Sequence, residues 1–325
     1  MNVLVIGFGS IGKRHVANLS KMDEIKAVYV LTGQKPQEGQ DQKVHFLDPL
    51  DLKAPRKLSH FLLKQQIEFA VIANETSKHL ATSLMIADAG IHLFIEKPLS
   101  HTLDGVTALS ETAVRRGLKI FVGYNLRFLG VIRDLKEKLS RSIIGDLYFG
   151  RIEAGYSLAL WRPDRDYRTM YSSSSAKGGG VALDLSHEVD YMRFLFGQPR
   201  SWKVMRTKAS SLEIDTDDLF EGLYQFDNNF VCSVHMDYLQ PCKKREIRIF
   251  GSKGSIVCDV AGNLLKTKAE DCGEVCVTDQ RMFDIPGTYV DEMRHFVAVM
   301  KGMEEPCVTL DDGIKALKLL QDSHV

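Results

Sequence analysis

Short apolar runs separated by helical patterns dominate the first 124 residues. Val3–Ile6, Ala27–Leu31, Phe69–Ala73, His92–Ile95 and Ile120–Val122 have strand length, with a weaker run at Val44–Leu47. Runs without polar alternation read as strands covered on both faces. Between them Leu80, Leu84 and Ala87 repeat at helical spacing with Gly90 as a C-cap, and Thr102–Arg116 reads as a helix stopped by Gly117. Strands alternating with helices predict a parallel sheet with helices on both faces.

After Asn125 the pattern changes. A helix is expected over about Arg127–Leu139, then a strand at Leu147–Tyr156, a polar segment Ser157–Lys177, and a helix over Val181–Phe196 behind Gly178-Gly179-Gly180. Strand patterns then follow one another at Trp202–Lys208, Leu219–Phe226, Phe230–Tyr238, Glu246–Phe250 and Ser255–Val260, with Asp227-Asn228-Asn229 as a hairpin turn. Consecutive strands predict a large, mostly antiparallel sheet. Helix returns at Tyr289–Lys301 and again behind the capping-box pattern Thr309-Leu310-Asp311-Asp312.

Val3–Ile6 runs straight into Gly7-Phe8-Gly9-Ser10-Ile11-Gly12 and a helix. In such a G-x-G-x-x-G turn the first glycine permits the tight bend, the second lets backbone approach a pyrophosphate, and the third allows close helix–strand packing. The helix N-terminus turns its positive dipole end to the phosphates. The expected fold is therefore α/β: a Rossmann dinucleotide-binding domain over 1–124, and an α+β domain over 125–325 that supplies the substrate site. Strand two ends in Leu31-Thr32-Gly33-Gln34-Lys35, without the carboxylate that would grip ribose hydroxyls and repel a 2′-phosphate. Thr32 and Lys35 leave NAD and NADP both open and tilt the balance to NADP; a solvated loop lysine is the other reading of Lys35.

Forty-two basic residues balance forty-two acidic ones, so no global field draws nucleic acid or an anionic membrane. No apolar run approaches the ~20 residues of a membrane span. The first strand at Asn2-Val3 leaves no room for a leader, so a cytoplasmic, soluble protein is expected. The six cysteines form no C-x-x-C pair, and Cys272 with Cys276 lacks a second pair at zinc spacing. Reduced thiols and no metal are expected. Tyr124, Asn125 and Arg127 lie at the domain junction, a common place for a substrate pocket. Trp161, Arg162, Arg165, Tyr167 and Arg168 suit a substrate bearing carboxylate, phosphate or nucleotide. An internally paired loop or a subunit contact is the competing reading.

The order of several marks resembles the glucose–fructose oxidoreductase / inositol dehydrogenase / rhizopine-catabolism (Gfo/Idh/MocA) family over nearly the whole chain. They are Gly7–Gly12 with His15, Ala73-Asn74-Glu75-Thr76 with His79, Glu96-Lys97-Pro98, Gly123-Tyr124-Asn125-Leu126-Arg127-Phe128, and Gly178–Gly180 leading to Asp184 and His187. The resemblance implies hydride transfer between NAD or NADP and a sugar-like, cyclitol or activated-sugar substrate, in a homodimer or homotetramer. It implies Lys97 as the lysine that contacts substrate and steers the proton, His187 as general acid/base, and Asp184 as its partner. Glu96 and the loop Asn74, Glu75 and His79 would lie on the cofactor side, although Glu75-Thr76 stands where relatives often carry Pro-Asn. The family spaces its acid and histidine D-x-x-x-H; here Asp184-Leu185-Ser186-His187 is one residue shorter. On one helix the two would still share a face. Lys97 and His187 belong to different domains, so a cleft above the nicotinamide is expected between them. A transient-redox epimerase or glycosidase using bound NAD, and a catalytically silent nucleotide-binding regulator, are the alternatives.

Overall fold

A computed structural model describes residues 1–34, 41–50, 52, 54–270 and 273–321. Lys35 and Cys272 lie outside the described residues. The chain forms two compact units, Met1–Gly123 with Tyr289–Ile314, and Tyr124–Thr288 with Lys315–Val325.

Six parallel strands build the first unit: β1 (Asn2–Ile6), β2 (Ala27–Leu31), β3 (Val44–Leu47), β4 (Ile67–Ile72), β5 (His92–Glu96) and β6 (Ile120–Gly123), in the order β3-β2-β1-β4-β5-β6. Val3–Val5, Phe69–Ile72 and Leu93–Ile95 are wholly buried, as runs covered on both faces must be. The connecting helices are α1 (Ser10–Ser20), α2 (Pro55–Lys64), α3 (Thr76–Asp88) and α4 (Val106–Arg116). Apolar spacing anticipated α3 and the end of α4 at Gly117; α2 went unread. The order reverses between β1 and β4, the switch point at which open parallel sheets bind ligands beyond their strand ends.

One correction concerns the linear division at residue 124. Tyr289–Ile314 belongs with the first unit, because Phe296 joins an aromatic cluster under the parallel sheet. Its ring meets Phe69 at 5.0 Å, Phe94 at 5.5 Å and Phe121 at 5.7 Å.

In the second unit β7 (Leu147–Gly155), β8 (Ser201–Thr207), β9 (Leu219–Gln225), β10 (Val231–Asp237), β11 (Lys244–Gly251), β12 (Gly254–Asp259), β13 (Leu264–Ala269) and β14 (Gly273–Val277) form one sheet. Its order is β14-β13-β12-β11-β7-β10-β9-β8. Only β7 with β10 is parallel; the other pairs are antiparallel. The hairpin at Asp227–Asn229 is present, with Asn229 at φ 61° and Phe226 N–H donating to Phe230 O over 2.9 Å. Strands β13 and β14 escaped the pattern because their lysines and glutamates mask the alternation.

The inner face buries Ile152, Phe220, Tyr224, Val234, Met236 and Ile247. Helices α5 (Gly130–Ser140), α6 (Leu158–Trp161), α7 (Val181–Asp184) and α8 (His187–Phe196) lie in this unit, and α5 and α8 join that core through Leu135, Val189 and Met192. The expected single helix over 181–196 is thus broken at Leu185-Ser186. There the bonding tightens to Ser186 N–H to Leu183 O and Glu188 N–H to Leu185 O, three residues apart. The last helices are α9 (Ile285–Met300) and α10 (Leu310–Gln321). The capping box of α10 forms as read, with Thr309 N–H donating to Asp312 Oδ2 over 3.0 Å and Asp312 N–H to Thr309 Oγ1 over 3.2 Å.

Phe149, Leu223 and Met205 are exposed on the large sheet. On β10, His235 Nδ1 lies 2.6 Å from Glu221 Oε1 and Nε2 lies 2.9 Å from Asp237 Oδ2. The hydrogen bond to Asp237, aided by Glu221 and opposed by burial, pushes the imidazole from 6.5 up to about 9. A histidine raised in this way stabilises the fold below 6.5 and stops doing so as pH rises through about 9. His235→Gln is therefore expected to lower the urea midpoint most below pH 6.5, with the gap to wild type closing above about 9. A gap independent of pH would show that the pair of carboxylates does not hold the proton.

Candidate active site

The glycine turn occupies the switch point. Gly7 has φ 101°, and a Cβ there would stand 2.4 Å from Ala73 O and 2.6 Å from Asn74 N. A Cβ on Gly12 would stand 2.2 Å from Gly7 O, whereas Gly9 has nothing within 4 Å of that position. The first and third glycines thus let backbone pack on backbone, and the second leaves open space in front of α1. Gly9 and Ser10 are exposed, and Ile11 is half-buried. Phe8 turns inward, edge-on to Phe46 at 5.0 Å, so its backbone alone is left for a ligand. This cradle fits the pyrophosphate of a dinucleotide. At the end of β2, Thr32 Oγ1 accepts from Gln34 N–H over 3.1 Å.

The ends of β4 and β5 are tied together by His79. Its Nδ1 lies 2.8 Å from Pro98 O and its Nε2 lies 3.2 Å from Asn74 O, and burial holds the imidazole below its ordinary value. Asn74 Nδ2 donates to Thr82 Oγ1 over 2.9 Å, and Glu75 pairs with Lys78 at the surface. Asn74 and His79 therefore shape the loop, and their side chains face protein.

Glu96 is buried and holds His15 Nε2 at 2.5 Å from its Oε1, while its Oε2 accepts from Lys97 N–H over 3.2 Å. Lys97 itself is half-buried at the mouth of β5. A third group, Glu292 of α9, was missed from sequence. One of its oxygens lies with a ligand atom each of His15 and Glu96 within a span of 4.8 Å, and neither oxygen has a hydrogen-bond partner among the described residues. The readable signal was a carboxylate four residues before Phe296 on the buried stripe of α9. The span would admit a cation, but a histidine that ligates a metal usually has its second nitrogen held by an acceptor. His15 Nδ1 has none. Burial, and then the charge of Glu96, push the Glu292 carboxyl well above the usual carboxylate range, toward its neutral form.

In the second unit Asp184 ends α7 and His187 opens α8, so the pair does not share one continuous helix as expected. Asp184 is buried, and its Oδ2 accepts from the Tyr238 hydroxyl over 2.6 Å. His187 is buried with its ring edge-on to Tyr124 at 5.7 Å. Arg127 is buried too, and its guanidinium is bidentate on Asp190, with Nε to Oδ2 at 2.8 Å and Nη2 to Oδ1 at 2.7 Å. Asn125 Nδ2 donates to Thr288 Oγ1 over 2.6 Å. Tyr124 thus packs on His187, while the side chains of Asn125 and Arg127 are engaged by Thr288 and Asp190.

The arginine-rich segment separates into two. Arg168 is exposed and paired with Asp166 at 2.9 Å and Glu213 at 3.3 Å, the internally bridged loop reading. Trp161 and Arg162 instead line a pocket of about 320 Å³ with Leu185 and the run Lys243-Lys244-Arg245. A larger apolar cavity of about 490 Å³ in the first unit is lined by Phe121, Phe296 and neighbouring residues and includes none of the candidate site residues.

A dinucleotide cradle on a doubly wound sheet, followed by a large, mostly antiparallel sheet, defines a dinucleotide-dependent oxidoreductase architecture. Residues 1–124 match the oxidoreductase family with NAD-binding Rossmann fold, and residues 132–257 match the GFO/IDH/MocA C-terminal domain. The chain belongs to the Gfo/Idh/MocA family, and it is an NAD(P)-dependent dehydrogenase or reductase. It is 24% identical to the myo-inositol 2-dehydrogenase of Thermotoga maritima, over 98% of this chain and 94% of that one. The fold is similar to that of myo-inositol 2-dehydrogenase from Lactobacillus plantarum, with a TM-score of 0.79 at 20% identity, covering 99% of this chain and 95% of the other. It is also similar to the WlbA dehydrogenase of Bordetella pertussis in complex with NADH and UDP-GlcNAcA, with a TM-score of 0.80 at 18% identity, covering 98% and 93%. Among the described residues no helix is long and apolar enough to cross a membrane.

Glu292→Gln keeps the shape and removes the titration. Ionising a carboxyl whose folded value is raised costs the fold stability as pH climbs above 4.5. The glutamine variant should therefore gain on wild type in Tm as pH rises, and the two should converge in acid. A constant difference across pH would mean that Glu292 is already ionised in the folded protein.

Proposed function

We propose that the protein oxidises or reduces a sugar-like polyol, cyclitol or activated sugar at one carbon, with Lys97 and His187 handling the proton. The observation that carries this reading is the glycine cradle at the switch point, with the Glu96–Lys97 strand end on the same edge of the sheet. Bound nicotinamide supplies the hydride acceptor or donor. Gly7, Gly9, Ser10 and Gly12 would hold its pyrophosphate, and Thr32 its ribose end. Glu96, fixed by His15, positions the Lys97 backbone, and the half-buried ammonium suits a substrate oxygen. His187 takes or returns the hydroxyl proton, and Asp184, anchored by Tyr238, orients the reacting groups. The relatives named for inositol and nucleotide-sugar oxidation support the substrate class. Self-association through the exposed Phe149, Leu223 and Met205, and a cytoplasmic setting that keeps Cys232, Cys242, Cys258, Cys276 and Cys307 as free thiols, complete the reading.

No carboxylate stands at positions 32–34 to repel a 2′-phosphate, so NADP should bind at least as well as NAD. Calorimetric titration with both decides this, and a clear NAD preference would reject it. Lys97→Met and His187→Ala should each leave cofactor binding near normal and lower turnover of an accepted polyol by about 10²–10⁴-fold. Two residues that serve one proton transfer lose far less in the double variant than the product of the single losses. A near-normal rate in either folded single variant removes that residue from the chemistry.

A further inference from the structure

We propose that the pocket between the end of β7, the segment Tyr156–Arg162 and the start of β11 is a subsite for an anionic substituent, carboxylate or phosphate, on the substrate. The proposal rests on the polyol dehydrogenase reading above and narrows its substrate class.

Four cations, Arg162, Lys243, Lys244 and Arg245, line this pocket, and no carboxylate does. Arg245 and Lys244 each pair with a carboxylate. Arg245 Nε lies 2.7 Å from Oε1 of the wholly buried Glu188, and Lys244 Nζ lies 3.1 Å from Glu246 Oε2. Lys243, exposed at the pocket, has no such partner among the described residues. Partial burial, and then the neighbouring Arg245 charge, hold its ammonium below the usual lysine range. A bound anion would relieve that repulsion.

The rest of the wall suits a sugar ring. Trp161 Nε1 donates to Tyr156 O over 3.0 Å, which fixes the indole, and the two aromatics offer apolar faces to ring C–H groups. The pocket also adjoins the candidate catalytic pair. Leu185, on its wall, separates Asp184 from His187 by sequence, and Trp161 lies edge-on to Tyr238 at 5.2 Å, the residue that holds Asp184.

Calorimetry at fixed ionic strength, with D-glucuronate, D-glucose 6-phosphate and D-glucose as probes on the cofactor-loaded protein, tests the assignment. At least one anion should bind more tightly than glucose, and Lys243→Met should weaken that anion by about tenfold or more while leaving glucose and cofactor unchanged. Glucuronate alone would specify sugar acids and glucose 6-phosphate alone phosphosugars; either supports the subsite. Equal binding of all three probes, or anion binding indifferent to both Lys243→Met and Arg162→Met, overturns it. NAD(P)H formation with the same probes separates the two readings. Anion binding in the wild type that Lys243→Met abolishes, without redox turnover of any polyol, would leave the subsite and remove the dehydrogenase assignment. Turnover of neutral polyols without anion preference would do the reverse.

Discussion

Gly7 passes so close to the end of β4 that no side chain fits between them, and much of the first unit follows from that contact. The approach requires β1 and β4 to be neighbours, and their adjacency makes the sheet reverse direction at this point. With β1 ending there, α1 must start at once, and Gly12 lets it pack back on Gly7. A substitution at Gly7 would meet backbone, which cannot rotate away as a side chain can, and would also sit at a positive φ that side chains rarely adopt. The glycine is thus a condition of the sheet order as much as of phosphate approach.

Charges inside the two units are settled in different ways. Arg127 with Asp190 and Arg245 with Glu188 are ordinary buried pairs, in which removing one partner strands the other at a cost of about 3–5 kcal/mol. His15, Glu96 and Glu292 cannot settle so simply, since two carboxylates face one imidazole. Burial favours the neutral form of Glu292, and Glu96 holds His15 and the Lys97 backbone. The backbone that carries Lys97 is therefore placed by that buried cluster, whereas Lys243 lines an open pocket. That contrast separates cations that serve the fold from a cation available to a ligand.

Much of the fold was legible because burial writes itself into composition. Uninterrupted apolar runs marked the parallel strands, and Asp227–Asn229 and Thr309–Asp312 marked a turn and a cap that both formed. Strands β13 and β14 were illegible because their outward lysines and glutamates look like loop. The return of Tyr289–Ile314 to the first unit was illegible as well, since an apolar helix face does not say which core it fills. Among site residues, the glycine turn and the Glu96–Lys97 strand end could be read locally. The identity of ion partners could not: Arg127 and Arg168 look equivalent in sequence, and only tertiary placement gives the first to Asp190 and the second to Asp166 and Glu213.

The broken helix explains how a shortened Asp–His spacing remains serviceable. A continuous helix would fix the two side chains by rotation alone, and each residue removed would swing one by about 100°. The break at Leu185-Ser186 instead lets Asp184 and His187 be placed by separate supports. Asp184 is held by Tyr238, whose ring abuts Trp161, and α8 is anchored one residue beyond His187 by Glu188 on Arg245. Both supports end on the wall of the same basic pocket. An anion seated there would lie against Trp161, whose ring abuts Tyr238, so on the proposed reading the groups that recognise charge would also bear on the support of Asp184. Remote binding energy acts in this way when it orients reacting groups, raising turnover as well as affinity.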